Sequence, residues 1–289
     1  MTNKRIAVVT GASSGIGLWI ARGLLEQSYT VLLVCRDAGR GRAAQGWLAQ
    51  MVPNGVTELL LTDLSRQAEV RRVAAAIRQR TDRLALLVNN AGCLSPRFTL
   101  TEDGVETTLA VNYLAPFLLT QELLPLLQAY GAAESASARI VNVGSASADH
   151  ARFNLDHLRT PRPRLMLSAY AESKLALLMY SIEEARRQAG RNVTVNCVHP
   201  GMVATRIGLV GGLTGFFWRC LTPFVLTPEQ GARCPLTVAN APEWATRTGL
   251  YAKRGQPARP NSRVHDAANT KALFELSTAL TIPARAKIN

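Results

Sequence analysis

Six short apolar runs alternating with longer segments of helical period constrain this chain more than any other feature. The runs are Ile6–Thr10, Thr30–Val34, Val56–Leu61, Leu84–Val88, Arg139–Val143 and Val193–Val198. Helical patterns lie near Ile16–Gln27, Arg40–Met51, Gln67–Arg80, Glu102–Gln128 and Ser168–Ala189. Strands that are apolar along most of their length need cover on both faces, which is the condition of a parallel sheet. The intervening helices supply that cover. With right-handed crossovers the expectation is an α/β chain with a doubly wound, Rossmann-type parallel sheet flanked by helices on both faces.

The 289 residues contain no repeat, low-complexity tract or linker, so a single domain over 1–289 is expected. Two segments interrupt the alternation. Residues 146–167 form a polar loop carrying Pro161 and Pro163. Residues 202–228 are apolar and glycine-punctuated, with Phe216, Phe217, Trp218 and Phe224, and read as a lid over a substrate. Residues 253–289 read as a C-terminal extension.

The net charge of +13 raises nucleic acid or an anionic membrane as a partner. Arginines and lysines are scattered, however, with loose concentrations only at 152–164 and 253–263, so a solvated basic surface and no nucleic acid are expected. No apolar run reaches the ~18 residues a membrane span needs. The nearest, Leu209 to Leu226, is broken by Gly211, Gly212, Arg219 and Pro223. The first residues lead at once into a strand with no signal-peptide core, so a cytoplasmic protein is expected. Cysteines 35, 93, 197, 220 and 234 are odd in number and form no C-x-x-C pair, so reduced thiols are expected, with no metal and no disulfide framework.

The stretch Thr10-Gly-Ala-Ser-Ser-Gly-Ile-Gly17 lies between the first strand and the first helix. There Gly11 permits a tight turn, Gly15 lets backbone N–H groups approach a pyrophosphate, and Gly17 lets helix and strand pack closely. By itself the stretch is equally a structural turn. At the end of the second strand, Cys35 stands where an NAD site would carry an acid for the ribose hydroxyls, and Arg36 follows. A guanidinium suits the 2′-phosphate of NADP(H). A solvated loop arginine is the alternative, and Asp37 beside it points the other way.

Tyr170 and Lys174 are four residues apart in Ala169-Tyr-Ala-Glu-Ser-Lys174, so a helix places them on one face. An ammonium there would lower a phenol from ~10 toward working pH, giving a group that donates a proton to a carbonyl or accepts one from an alcohol. Such a pair is common on helices and gains weight only from its companions. Those are the glycine turn, Asp63-Leu64, Asn89-Asn-Ala-Gly92, Asn112, Ser145 and Pro200-Gly-Met-Val-Ala-Thr205, each after or near a strand in this order.

Together these motifs closely resemble the short-chain dehydrogenase/reductase family over residues 5 to about 250. The resemblance implies that Ser145, Tyr170 and Lys174 form a catalytic triad, with Asn112 as a fourth member. Tyr170 would be the acid/base. Lys174 would lower its pKa and bind the nicotinamide ribose. Ser145 would hydrogen-bond the substrate oxygen, and Asn112 would hold a proton-relaying water. Cofactor contacts would come from Gly11, Ser13, Ser14, Gly15, Ile16 and Gly17 on the pyrophosphate side and from Arg36, Asp63 and Leu64 on the adenosine side. Asn89, Ala91, Gly92, Tyr170, Lys174, Pro200, Gly201, Val203 and Thr205 would border the rest. A purely structural role in the sheet, the core or a helix is the alternative for Asn89, Leu64 and Asn112.

Ser145 and Tyr170 are separated by 25 positions, more than is usual in the family at large. That spacing, with Phe153-Asn-Leu-Asp156, Val198-His-Pro-Gly201 and Leu226-Thr-Pro-Glu-Gln-Gly-Ala232, resembles the retinol dehydrogenase-like branch, which also includes protochlorophyllide reductase. The branch implies bulky lipophilic substrates and a preference for NADPH. Gly144 departs from the serine usual there, and a soluble enzyme without the hydrophobic N-terminal anchor of the membrane-bound members is expected. Abundant arginine and alanine suggest a GC-rich bacterium, where tailoring of a polyketide-like or aromatic natural product becomes an alternative to retinoid chemistry. The expected activity is NADPH-dependent reduction of a ketone or aldehyde. A C=C or imine reductase, an NAD-linked alcohol dehydrogenase and a non-catalytic nucleotide sensor are the alternatives. The resemblance leaves open a homodimer through helices near 112–128 and 168–189.

Overall fold

A computed structural model describes residues 5–134, 136–203 and 225–282. Most of the expected lid, including Thr205 and the aromatic cluster at 216–224, lies outside the described residues, as do residues 283–289 of the extension.

The six expected strands are all present: β1 (Ile6–Thr10), β2 (Thr30–Cys35), β3 (Val56–Leu61), β4 (Leu86–Asn89), β5 (Ala138–Val143) and β6 (Val193–His199). Two short strands extend the sheet, β7 (Tyr251–Lys253) and β8 (Gln256–Ala258). The order is β3-β2-β1-β4-β5-β6-β7-β8, parallel throughout except for the β7–β8 hairpin. Strand order therefore runs outward from β1 in one direction and from β4 in the other. The crevice between them, at the strands' C-terminal ends, is where ligands bind in open α/β sheets.

Alternate residues of the strands feed two opposite cores. Ala7, Val9, Val31 and Leu33 face one side, under α1 (Gly15–Glu26). Val8, Leu32 and Val34 face the other, with α3 (Gln67–Arg78). The helix α2 (Ala38–Met51) covers the outer strands and is capped by Asp37, whose carboxylate accepts from the Arg40 N–H at 2.7 Å.

The helix expected over Glu102–Gln128 starts later. Gly104 turns the chain at φ +74°, and Glu106 then caps α4 (Thr107–Leu109) by accepting from the Thr108 and Leu109 N–H groups. A π-helical turn at Ala110–Leu114 joins it to α5 (Ala115–Ala133). After β5 come α6 (Asp156–Arg159) and the long α7 (Met166–Arg187). Two further helices, α8 (Pro228–Asn240) and α9 (Ala267–Thr281), were not expected. The α8 start carries its own sequence signature, Thr227-Pro-Glu-Gln230, a reciprocal capping box with proline at the first turn. The helix α9 belongs to the 253–289 segment and sets Phe274 against Phe117 and Tyr180, covering part of α5 and α7.

Candidate active site

The glycine stretch and the turn after β4 are held together as one unit. The Thr10 hydroxyl accepts from the Asn90 and Ala91 N–H groups at 3.0 Å, and the Asn90 amide donates to Thr10 O at 2.8 Å. Gly11 and Gly15 have φ of +68° and +57°, a region that disfavours side chains. A Cβ on Gly11 would stand 2.9 Å from Ala91 Cα; one on Gly17 would stand 2.5 Å from Gly11 O and collide with the Asn90 amide. Ser14 caps α1 in extended conformation without a side-chain hydrogen bond, and the first turn carries no acid. The result is a close-walled turn with helix N–H groups facing outward, a geometry suited to a pyrophosphate. Asn90 was absent from the expected site residues, although it lies inside the Asn-Asn-Ala-Gly motif.

At the end of β2, Cys35 is buried and its thiol is pushed up to about 11 by burial, against the Ser13 side chain. Arg36 is exposed. Asp37 is occupied as the α2 cap, and the Arg40 N–H bond holds its carboxyl below the usual range. The acid next to Arg36 is thus already engaged by its own helix. Asp63 accepts from the Ser65 N–H and hydroxyl, capping the turn into α3, and Leu64 packs into the core on that face.

Several of the expected cofactor residues also make contacts within the fold. The Asn89 amide donates to Asn142 Oδ1 at 2.8 Å and to Thr120 Oγ1, and Asn142 donates to Ser181, a buried polar chain linking β4, β5 and α7. Ile16 and Val203 both lie against Gly231 of α8. Gly201 has φ +96°, and Leu226 occupies the space a Cβ would need. Pro200 precedes it at the end of β6, and Gly92 follows Ala91 in the β4 turn.

Four side chains converge beyond β5. Lys174, 3% exposed, donates to Val143 O at 2.8 Å, and its ammonium lies 5.8 Å from the centre of the Tyr170 ring. The Asn112 amide donates to Cys93 O and Ser173 Oγ and accepts from the Cys93 N–H, while Ser173 donates to Tyr170 O. Both N–H groups of Asn112 are therefore used in clamping the β4 turn to α7, and its place in a π-helical turn fits a specialised role. Ser145 begins a short turn, Ala146–Ala148, held from several sides: Ala146 N–H donates to His199 Nδ1, and Tyr251 donates to Ser145 O. Burial and the neighbouring Lys253 lower the His199 pKa, which favours the neutral ring this bond requires.

Burial raises the Tyr170 phenol, with the Ser145 side chain pulling it back. Burial brings Lys174 down to about 8, and its ammonium is bonded to the Val143 carbonyl.

A glycine cradle at the switch point of a parallel sheet, with a Tyr–Lys pair and a serine at its rim, defines a nicotinamide-dependent oxidoreductase. The model of the family described as short chain dehydrogenase matches residues 5–209, and the chain belongs to the short-chain dehydrogenase/reductase family, in its retinol dehydrogenase-like branch. It is 32% identical over 276 residues to retinol dehydrogenase 12 of Mus musculus, spanning 96% of this chain and 86% of that protein. It is 35% identical over 272 residues to human retinol dehydrogenase 14, spanning 87% and 78%. Among solved structures, an uncharacterised protein of Mycobacterium paratuberculosis aligns at TM-score 0.76 and 30% identity over 96% of this chain and 93% of that one. The RhlG/NADP active-site complex of Pseudomonas aeruginosa aligns at TM-score 0.69 and 31% identity over 86% and 94%. Among the described residues, no helix is long and apolar enough to cross a membrane.

Proposed function

We propose that this chain is an NADPH-dependent carbonyl reductase acting on the ketone or aldehyde of a bulky lipophilic compound, retinoid-, aromatic- or polyketide-like. The observation that carries the reading is the convergence of Ser145, Tyr170, Lys174 and Asn112 beside the glycine cradle. When bound, the reduced dinucleotide supplies the hydride.

The chain's own residues do the rest. The stretch from Gly11 to Gly17 and the α1 N-terminus hold the pyrophosphate, with Ser13 and Ser14 at its edge. Arg36 holds the 2′-phosphate; its exposure, the buried thiol before it and the capping role of Asp37 all favour NADPH over NADH. Tyr170 gives its proton to the carbonyl oxygen, and burial raises its phenol. Ser145 donates a hydrogen bond to the same oxygen. Asn112 ties the turn after β4 to Ser173, which bonds Tyr170 O, and Lys174 is anchored on Val143 O.

A panel of ketones and aldehydes with NADPH and NADH tests this, with products identified. Alcohols formed faster with NADPH are expected. Saturated products with the carbonyl intact, or no NADPH consumption across the panel, would refute it.

A further inference from the structure

The turn that carries Ser145 is gripped through one peptide group, and one of the groups that grip it titrates. The Ser145–Ala146 peptide presents its N–H to His199 Nδ1, 3.1 Å away, and its carbonyl to the Tyr251 hydroxyl, which donates at 3.3 Å. The Ala148 N–H donates to the same carbonyl at 3.1 Å. His199 ends β6 and Tyr251 opens β7, so two neighbouring strands hold a peptide that belongs to neither. One residue further on, the Ser147 N–H donates to Ser145 Oγ at 3.2 Å. A hydroxyl that accepts there keeps its own proton for another partner, so the aim of Ser145 depends on how this turn is held.

The bond from the Ala146 N–H needs a lone pair on Nδ1. A neutral ring supplies one, with its proton on Nε2. An imidazolium carries N–H on both nitrogens and meets the peptide donor with a second donor. The charged groups acting on the ring are Lys253 of β7, which opposes a further positive charge, and Asp149 at the end of the turn, which favours one but is bonded to Lys253 at 2.6 Å. Burial is the larger influence, and it holds the ring below its usual ~6.5. Among the other titratable groups around the turn, Cys197 of β6, Tyr251 of β7 and Tyr170 of α7 are raised by burial, and Lys174 of α7 is bonded to Val143 O.

We infer that His199 is a positioning residue that holds Ser145 in place through the Ala146 N–H, and that a proton taken up on Nδ1 releases the turn. The inference rests on the carbonyl-reductase reading and deepens it, because it gives turnover an acid limit. His199 acts through Ser145 and exchanges no proton with the substrate. Above its pKa both ends of the peptide are held. As pH falls through that pKa the N–H end is lost, while the carbonyl end keeps Tyr251 and Ala148.

The test uses the full chain with NADPH and para-nitrobenzaldehyde, with turnover followed from about pH 5 to pH 8. The kcat should fall on the acid side with an apparent pKa below ~6.5, while the KM for NADPH stays level. His199→Ala removes the acceptor and should lower kcat by roughly 10-fold at pH 7, the size of one hydrogen bond. His199→Asn offers an oxygen near the place of Nδ1 and does not titrate. It should recover most of that loss and abolish the acid limb. An acid limb kept by His199→Asn, or a His199→Ala variant as fast as the wild type, would overturn the positioning role.

Nuclear magnetic resonance on protein with isotope-labelled alanine and histidine reads the same clamp without turnover, and decides the matter if His199→Ala does not fold. The Ala146 amide should shift in step with the His199 ring, whose neutral form carries its proton on Nε2. An Ala146 amide indifferent to that titration would also overturn the inference. Titration in step with no reduction of the aldehyde at any pH would uphold the clamp and count against the carbonyl-reductase reading instead.

Discussion

The nucleotide side and the substrate side of this molecule are built by different means. On the proposed nucleotide side the groups are backbone: positive-φ glycines at 11 and 15, a helix terminus, and walls so close that Gly17 has no room for a Cβ. Those parts come from one continuous stretch, braced by Thr10 and Asn90. On the proposed substrate side the groups are side chains, drawn from the π-helical turn, the turn after β5 and α7. Each is held by a partner distant in sequence, as Lys174 is by Val143 O and the Ser145 turn by His199 and Tyr251. The difference teaches where each side is fragile. A backbone site fails when volume is added, whereas a side-chain site fails when one functional atom is removed.

Four substitutions can break or sharpen that comparison. Tyr170→Phe removes one oxygen and should lower turnover by roughly 10²–10⁴-fold, with NADPH affinity nearly unchanged in fluorescence titrations. A variant keeping most of its rate would remove Tyr170 from the chemistry. Gly17→Ala adds one carbon between Asn90 and Gly11 O, and should cost about 2–3 kcal/mol in denaturant unfolding together with NADPH binding. Its control is Gly46→Ala in α2, where a Cβ meets nothing within 4 Å, and which should stabilise by about 1 kcal/mol. If both glycines behave alike, the close-walled cradle is not what constrains position 17.

Arg36→Ala should weaken NADPH by roughly 10-fold or more and leave NADH little changed. Equal losses for both would sink the 2′-phosphate assignment. The smallest effect concerns Lys174, whose pKa burial lowers from 10.5 to about 8. Below pH 8 the folded protein holds a desolvated ammonium, which withholds stability. The deficit shrinks between pH 8 and 10.5, where the folded lysine is neutral and the unfolded one still charged. Lys174→Met should therefore gain roughly 1–2 kcal/mol at pH 7, after the lost bond to Val143 O is counted, and the gain should fade toward pH 10. A constant or absent gain across that range would show that the ammonium is not strained by burial.

Much of this was readable in the chain. All six expected strands fall within two residues of their expected bounds, because most are apolar along nearly their whole length and bounded by turn residues. The glycine cradle was legible for a related reason: positive φ and close approach leave only glycine at fixed spacings. What escaped was non-local. Asn90 reads as one polar residue beside another, and its bonds to Thr10 exist only because β1 and β4 are neighbours in the sheet. The late start of α4 turns on Glu106 reaching its own helix N-terminus. Arg164 looked like one more member of a scattered basic loop, and only packing against Glu106 and Glu172 makes it a buried cation.

The sequence by itself determined the doubly wound sheet, the glycine cradle and the identity of the residues that meet beyond β5, since periodicity, backbone freedom and ordered motifs are properties of the chain. Only the tertiary structure decided which of those residues serve the site and which serve the frame. Asn89 is bonded inside the sheet, Leu64 packs partly buried against one core, Asp37 caps a helix, and burial raises the phenol of Tyr170. Such outcomes depend on which groups lose water and which find a hydrogen-bond partner, and both are settled by neighbours that lie far away along the chain.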